Sequence, residues 1–216
     1  MSVERDIQQS AADSARRIRD ILAAHDVLGV NLISSPGSGK TTLIEKMIEA
    51  MRGRKRLAVI EGDIETEIDA ERIRKHGVQV HQINTRSSCN IQPALLLPSL
   101  GKIDLGAADI LFVENVGNLV CPAEVPLGED VRVVALSVTE GDEKPLKYPL
   151  VFRTSHILVI TKTDLLPYVR FRVEDVRTAA RTVNPAIGIF ETSAESGEGI
   201  GELAARLEAL HDGKVR

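Results

Sequence analysis

The chain has 216 residues, 43% of them apolar and 27% charged, the make-up of one folded α/β domain, at most with an appendage. Lys and Arg total 27 against 31 Asp and Glu, a net charge of −4, and no window interleaves basic with aromatic residues, so nucleic acid is disfavoured as a partner. The longest apolar runs fall far short of the ~18 residues of a membrane-spanning helix, and the polar stretch from Met1 to Asp20 is unlike a secretory signal, so a cytoplasmic location without membrane attachment is expected.

In chain order, residues 3–24 place Ile7, Ala11, Ala15, Ile18 and Leu22 on one face of an amphipathic helix. Val27 to Ile33 reads as a buried strand, and Ser34 to Thr42 as a Gly/Ser loop opening a helix that ends near Gly53. Leu57 to Ile60 is a second strand, Thr66 to His76 a helix with Gly77 as its stop, and Val78 to Ile83 a third strand. Further strands are expected at Asp109 to Val113, Val131 to Val138, His156 to Ile160 and Ala186 to Glu191, and a last helix at Gly199 to Leu210. The alternation predicts a mostly parallel sheet flanked by helices, with ligands at the carboxyl ends of the strands.

Ser35-Pro36-Gly37-Ser38-Gly39-Lys40-Thr41-Thr42 lies between a predicted strand and helix, the context of a phosphate loop. Glycines let backbone N–H groups curl around phosphate oxygens, Lys40 reaches the terminal phosphates, and the Thr41 hydroxyl holds Mg²⁺. The first position of the usual pattern, a glycine, is Ser34 here. The expectation is a G-domain-like P-loop NTPase, a single domain over residues 1–216 with its amphipathic helix at about 3–24.

Ile160-Thr161-Lys162-Thr163-Asp164 favours GTP over ATP, since the Asp164 carboxylate accepts from the N1–H and exocyclic amine of guanine. Lys162 would lay its stem over the base, and Ser193-Ala194 would offer a backbone N–H to the guanine oxygen. Against the usual Asn-Lys-x-Asp, Thr161 is expected to loosen this loop. Glu114-Asn115-Val116-Gly117 ends a strand where a γ-phosphate sensor belongs: Glu114 would act on Mg²⁺ or the attacking water, and the Gly117 N–H would meet the phosphate. Asp63, in Glu61-Gly62-Asp63, offers the same Mg²⁺ a carboxylate. Lys40, Asp63, Glu114 and Gly117 are thus the candidate catalytic groups. With Asn118 after the switch glycine and no arginine fixed by a motif near the γ-phosphate, slow hydrolysis is expected.

At this point the blocks Glu61-Gly-Asp63 with Asp69-Ala-Glu-Arg72, Glu114 to Ala123, and Glu140 to Pro149 resemble the nickel-incorporation GTPases of hydrogenase maturation, the HypB family, related to the urease accessory GTPase. The resemblance covers the chain from about residue 25. It implies a homodimer driven by GTP that hands nickel to a hydrogenase large-subunit precursor together with a second nickel metallochaperone. It also suggests that Lys147 reaches the partner's nucleotide.

Cys89 and Cys121, the only cysteines, are expected to be free or bound to Ni or Zn rather than to form a disulfide. Family members usually carry Cys-His where this chain has Cys89-Asn90, and an Asn amide is a poor ligand for either metal. A dimer would bring four thiolates to one site if both cysteines face its axis. Competing readings are a regulatory GTPase of the same fold whose metal site has decayed, a nickel chaperone for another nickel enzyme, and a small-molecule kinase, against which Asp164 argues.

Overall fold

The structure, a computed structural model, describes residues 2–63, 67–85 and 88–215. Among these, seven strands form one sheet: β1 (Leu28–Ser34), β2 (Leu57–Asp63), β3 (Gln79–Asn84), β4 (Ile110–Glu114), β5 (Val131–Ser137), β6 (Ile157–Thr161) and β7 (Gly188–Glu191). Their order is β3-β2-β4-β1-β5-β6-β7, and the neighbours pair in parallel throughout. The sheet is more uniform than the mostly parallel one expected. The chain enters at β1 and winds outward in both directions, so the crevice of this order opens at the carboxyl end of β1, where such sheets bind ligands.

The helices are α1 (Ser2–Ala24), α2 (Lys40–Met51), α3 (Ile68–Arg74), α4 (Pro93–Leu100), α5 (Cys121–Glu124), α6 (Lys144–Lys147), α7 (Pro149–Thr154), α8 (Val173–Val183) and α9 (Ile200–Lys214). β1 is buried along its whole length. Leu28, Val30 and Leu32 pack with Leu43 and Met47 of α2 and Leu203 and Leu207 of α9. On another side of the core, Ile18 and Leu22 of α1 pack with Leu96 and Leu100 of α4 and Leu111 of β4. The α1 stripe is as expected at Ala15, Ile18 and Leu22, all buried, while Ala11 is half-buried; the side chain of Ile7 lies outside the described residues. No helix among those described is long and apolar enough to cross a membrane.

Three boundaries differ from expectation in ways that bear on the site. β4 extends through Glu114, which pairs with Leu32 of β1 and Glu61 of β2, so the acidic residue is held by the ladder rather than by a loop. α3 begins at Ile68 and ends at Arg74; Thr66, its expected start, lies outside the described residues, and Gly77 follows at φ 78°. α9 runs on to Lys214, whose Nζ donates to Val27 O (2.8 Å) and Asp130 (2.5 Å). α4 has no counterpart in the sequence reading, because Leu95-Leu96-Leu97-Pro98 is a continuous apolar run without helical period.

Candidate nucleotide site

β1 delivers the chain into a loop whose Gly37 and Gly39 take φ of 75° and 86°, left-handed values that residues with a Cβ rarely adopt. A Cβ at Gly37 would meet nothing within 4 Å, so backbone angle and not crowding calls for glycine there. Ser34, at the position where a glycine is usual, donates its hydroxyl to Ser35 O (2.6 Å) and accepts from Lys40 Nζ (3.1 Å). The departure therefore seats the Lys40 ammonium group. Ser38, fully buried, shares its one hydroxyl proton between Ser35 O (2.8 Å) and Glu140 Oε1 (2.6 Å). Glu140, three residues past β5, thus braces the loop from behind, a support the sequence did not disclose.

Thr41 donates its hydroxyl to Glu114 Oε1 at 2.8 Å. Glu114 and Glu61, opposite each other on adjacent strands, are 4% and 3% exposed, and Oε2 of each lacks a hydrogen-bond partner. Burial pushes Glu61 up to about 8, helped by the nearby Glu114 and Asp63 carboxylates. Burial likewise lifts Glu114 to about 7, against the pull of Lys40 and the Thr41 bond. Unsatisfied carboxylate oxygens beside a threonine hydroxyl form an all-oxygen donor set of the kind Mg²⁺ takes, completed by phosphate and water. Thr41 and Asp63 are the residues that would hold the ion, with Glu114 behind Thr41. Glu61 gives this site a second buried carboxylate that the sequence reading passed over. Gly117 packs on the phosphate loop so closely that a Cβ would lie 3.0 Å from the Pro36 backbone.

At the base end, Lys162 sits at φ 61° and donates Nζ to Gly37 O at 2.7 Å. Thr161 donates its hydroxyl to Ser38 O at 2.7 Å, so the residue expected to loosen this loop ties it to the phosphate loop. Asp164 is exposed, and its Oδ1 accepts from the Ser193 hydroxyl at 2.6 Å. The Ser193 N–H is engaged by Glu198 O (3.0 Å), which corrects the expectation that it is offered to a base.

These parts enclose a cavity of about 550 Å³ lined by Pro36, Gly37, Gly39, Lys40, Thr41, Thr42, Asp63, Asp69, Arg72, Glu114, Val116, Gly117 and Lys162. A pocket of about 70 Å³ adjoins it between Ser38, Leu43, Lys162, Thr192 and Ala194. A larger hollow of about 650 Å³ between α1 and the end of α4 is lined by Arg17, Leu97 and Gly106 among others and is remote from the phosphate loop. Arg72 belongs to the wall of this phosphate cavity, an arginine placed there by the fold and by no nucleotide motif. Lys147 lies outside the cavity, exposed on α6 with its Nζ 5.8 Å from the Tyr148 ring centre.

The cysteines depart most from expectation. Cys89 and Cys121 are joined as a disulfide, with Cα atoms 6.2 Å apart, a separation that suits such a bond. The loops after β3 and β4 converge, and Asn90 holds them together. It is buried, donates Nδ2 to Cys121 O (3.5 Å) and accepts from Gln92 Nε2 (2.8 Å). Asn118 donates to Cys121 Sγ at 3.3 Å and accepts from Val120 N at 2.8 Å, so its amide serves the turn before α5. Among the described residues no three His, Cys, Asp or Glu lie close enough to hold a metal ion by themselves.

A doubly wound parallel sheet, a glycine-turned phosphate loop with Lys-Thr at a helix start, and an Asp-bearing base loop define a P-loop GTPase. The CobW/HypB/UreG, nucleotide-binding domain profile matches residues 29–191. The chain belongs to this family, and within it to the HypB-type hydrogenase maturation factors. It is similar to the hydrogenase maturation factor HypB of Azotobacter vinelandii, 45% identical over 216 residues, which are 100% of this chain and 71% of the relative. Among solved structures, HypB from Helicobacter pylori in complex with nickel superposes with a TM-score of 0.87 at 34% identity, covering 94% of this chain and 95% of that one. HypB from Archaeoglobus fulgidus gives 0.88 at 34% identity, covering 94% and 99%.

Proposed function

We propose that this chain is a GTP-switched nickel chaperone that works as a homodimer in the cytoplasm. It would deliver nickel to a hydrogenase large-subunit precursor together with a second nickel metallochaperone. The observation that carries the reading is the short path from phosphate loop to cysteine: Gly117 packs on Pro36 of that loop, and Cys121 follows four residues later beside Cys89. Similarity to a HypB crystallised with nickel and the soft donors of a reduced Cys89–Cys121 pair support nickel, with zinc as the other metal such thiolates take. Two thiols per chain fall short of the about four ligands such ions want, so a site shared across a two-fold axis supports the dimer. Mg²⁺-dependent hydrolysis is slow in this reading, about 10⁻⁴ to 10⁻² s⁻¹, and residues 1–216 act as one domain with α1 as its flank.

A second reading, a regulatory GTPase without transition metal, draws on Asn90, whose amide is spent on the backbone where a histidine is usual. The deciding experiment is expression of this chain in a nickel-limited strain lacking its own HypB. Restored hydrogenase activity with wild type but not with Cys89→Ser supports the chaperone. Equal restoration by both supports the metal-free regulator, and restoration by neither contradicts a hydrogenase client.

A further inference from the structure

Arg72 is the one guanidinium among the described residues lining the phosphate cavity. It projects from α3, the helix that follows Asp63, toward the first turns of α2. Its Nη1 donates to Asp69 Oδ1 (3.1 Å), and its Nη2 donates to Glu45 Oε2 (2.6 Å) and Thr42 Oγ1 (3.1 Å). A guanidinium carries five N–H donors in a planar fork, so two remain to be offered into the cavity. The side chain is 39% exposed. Thr42, its hydroxyl partner, is adjacent to Thr41, which reaches Glu114.

The other cations of this wall are lysines with set partners. Lys40 rests on Ser34, and Lys162 is committed to Gly37 O at the base end. At the end bounded by Asp63, Glu114 and Gly117, Lys40 is the ammonium whose charge reaches the carboxylates, and a bound triphosphate would call for further positive charge there. Arg72 is placed to supply it, and its fork matches phosphoryl oxygens in pairs, as an ammonium does not.

We infer that Arg72 is a further catalytic residue: when GTP binds, its guanidinium exchanges Glu45 for the terminal phosphate and stabilises the charge that gathers there during hydrolysis. In that step the bond from water oxygen to the γ-phosphorus forms and the bond to the β,γ-bridging oxygen breaks. The water's protons pass to phosphate and solvent, leaving GDP and inorganic phosphate; Arg72 keeps its protons throughout. The carboxylate Arg72 must leave contributes to slow turnover. This inference rests on the GTPase reading of the cavity, so its test must separate hydrolysis from nucleotide binding.

The alternative is a clamp between α2 and α3. Single-turnover GTP hydrolysis and GDP affinity are measured for wild type, Arg72→Ala, Arg72→Lys and Glu45→Gln. A catalytic Arg72 predicts a loss of about 10³-fold in rate for Arg72→Ala, little rescue by Arg72→Lys, and a Glu45→Gln rate at or above wild type. GDP affinity should stay within about threefold in all four, as expected for a group that acts on the terminal phosphate. Equal slowing by Arg72→Ala and Glu45→Gln, or an unchanged rate in Arg72→Ala, overturns the inference in favour of the clamp. Should Arg72→Ala fail to fold, a wild-type rate in Arg72→Lys overturns it just as well. If the wild type binds no GDP, the GTPase reading fails instead.

Discussion

Replacing Glu61 with Gln should stabilise the metal-free, nucleotide-free protein at alkaline pH and leave it nearly unchanged at acid pH. The carboxyl is 3% exposed, has one unbonded oxygen and faces Glu114 across the β2–β4 ladder. Burial, then the charges of Glu114 and Asp63, raise it from 4.5 to about 8. As pH rises through this window the unfolded chain gives up its proton while the folded carboxyl keeps it, so the folded state binds more protons and stability falls with pH. The contribution is whole below about 4.5 and is lost by about 8. A gap of that size, at about 1.4 kcal/mol per pH unit, amounts to roughly 3 to 5 kcal/mol. Gln cannot ionise and offers Glu114 Oε2 a donor, so the variant should exceed wild type by roughly 2 to 4 kcal/mol at pH 8 and match it within about 0.5 kcal/mol at pH 4. Urea denaturation with a chelator at both pH values measures the difference. A variant that is less stable at pH 8, or equally displaced at both pH values, refutes the argument that Glu61 is held against its charge.

Asp164→Asn should weaken GDP by roughly 2 kcal/mol or more, about 30-fold, by breaking charged hydrogen bonds to guanine. A fluorescent GDP analogue reports it, and equal affinity of the wild type for ADP and GDP would contradict the assignment. Lys147→Ala should abolish dimerisation by a non-hydrolysable GTP analogue while GDP affinity stays put, since the side chain lies outside the cavity. Sedimentation velocity decides, and a dimer that persists removes Lys147 from the interface.

The part of the site that was legible in the sequence is the part built from neighbours in the chain. The strand, phosphate loop and helix around Lys40 occupy consecutive residues, and the positive φ angles of Gly37 and Gly39 have a direct residue signature. Two departures from the common motifs, Ser34 and Thr161, are not interpretable from the chain alone because their partners, Lys40 Nζ and Ser38 O, are contacts of the fold. Glu61 and Glu114 stand 53 positions apart and meet only through the β2–β4 register, which no periodicity encodes. Arg72 was read as part of a family block, yet its place in the cavity follows from how α3 packs on α2. The cysteine pairing depends likewise on the convergence of the loops after β3 and β4, which the 32-residue spacing of the two thiols does not encode.

The joined state of Cys89 and Cys121 also sets the condition for the most direct test, because a cysteine binds nickel as its thiolate and a disulfide must first be reduced. Calorimetric titration of nickel into the fully reduced protein, once with GDP and once with a non-hydrolysable GTP analogue, reads the proposed coupling between nucleotide and metal. The account predicts one nickel ion per two chains, at least about tenfold tighter with the GTP analogue, and none bound before reduction. Equal affinity in the two nucleotide states, or unchanged binding by Cys121→Ser, would contradict it.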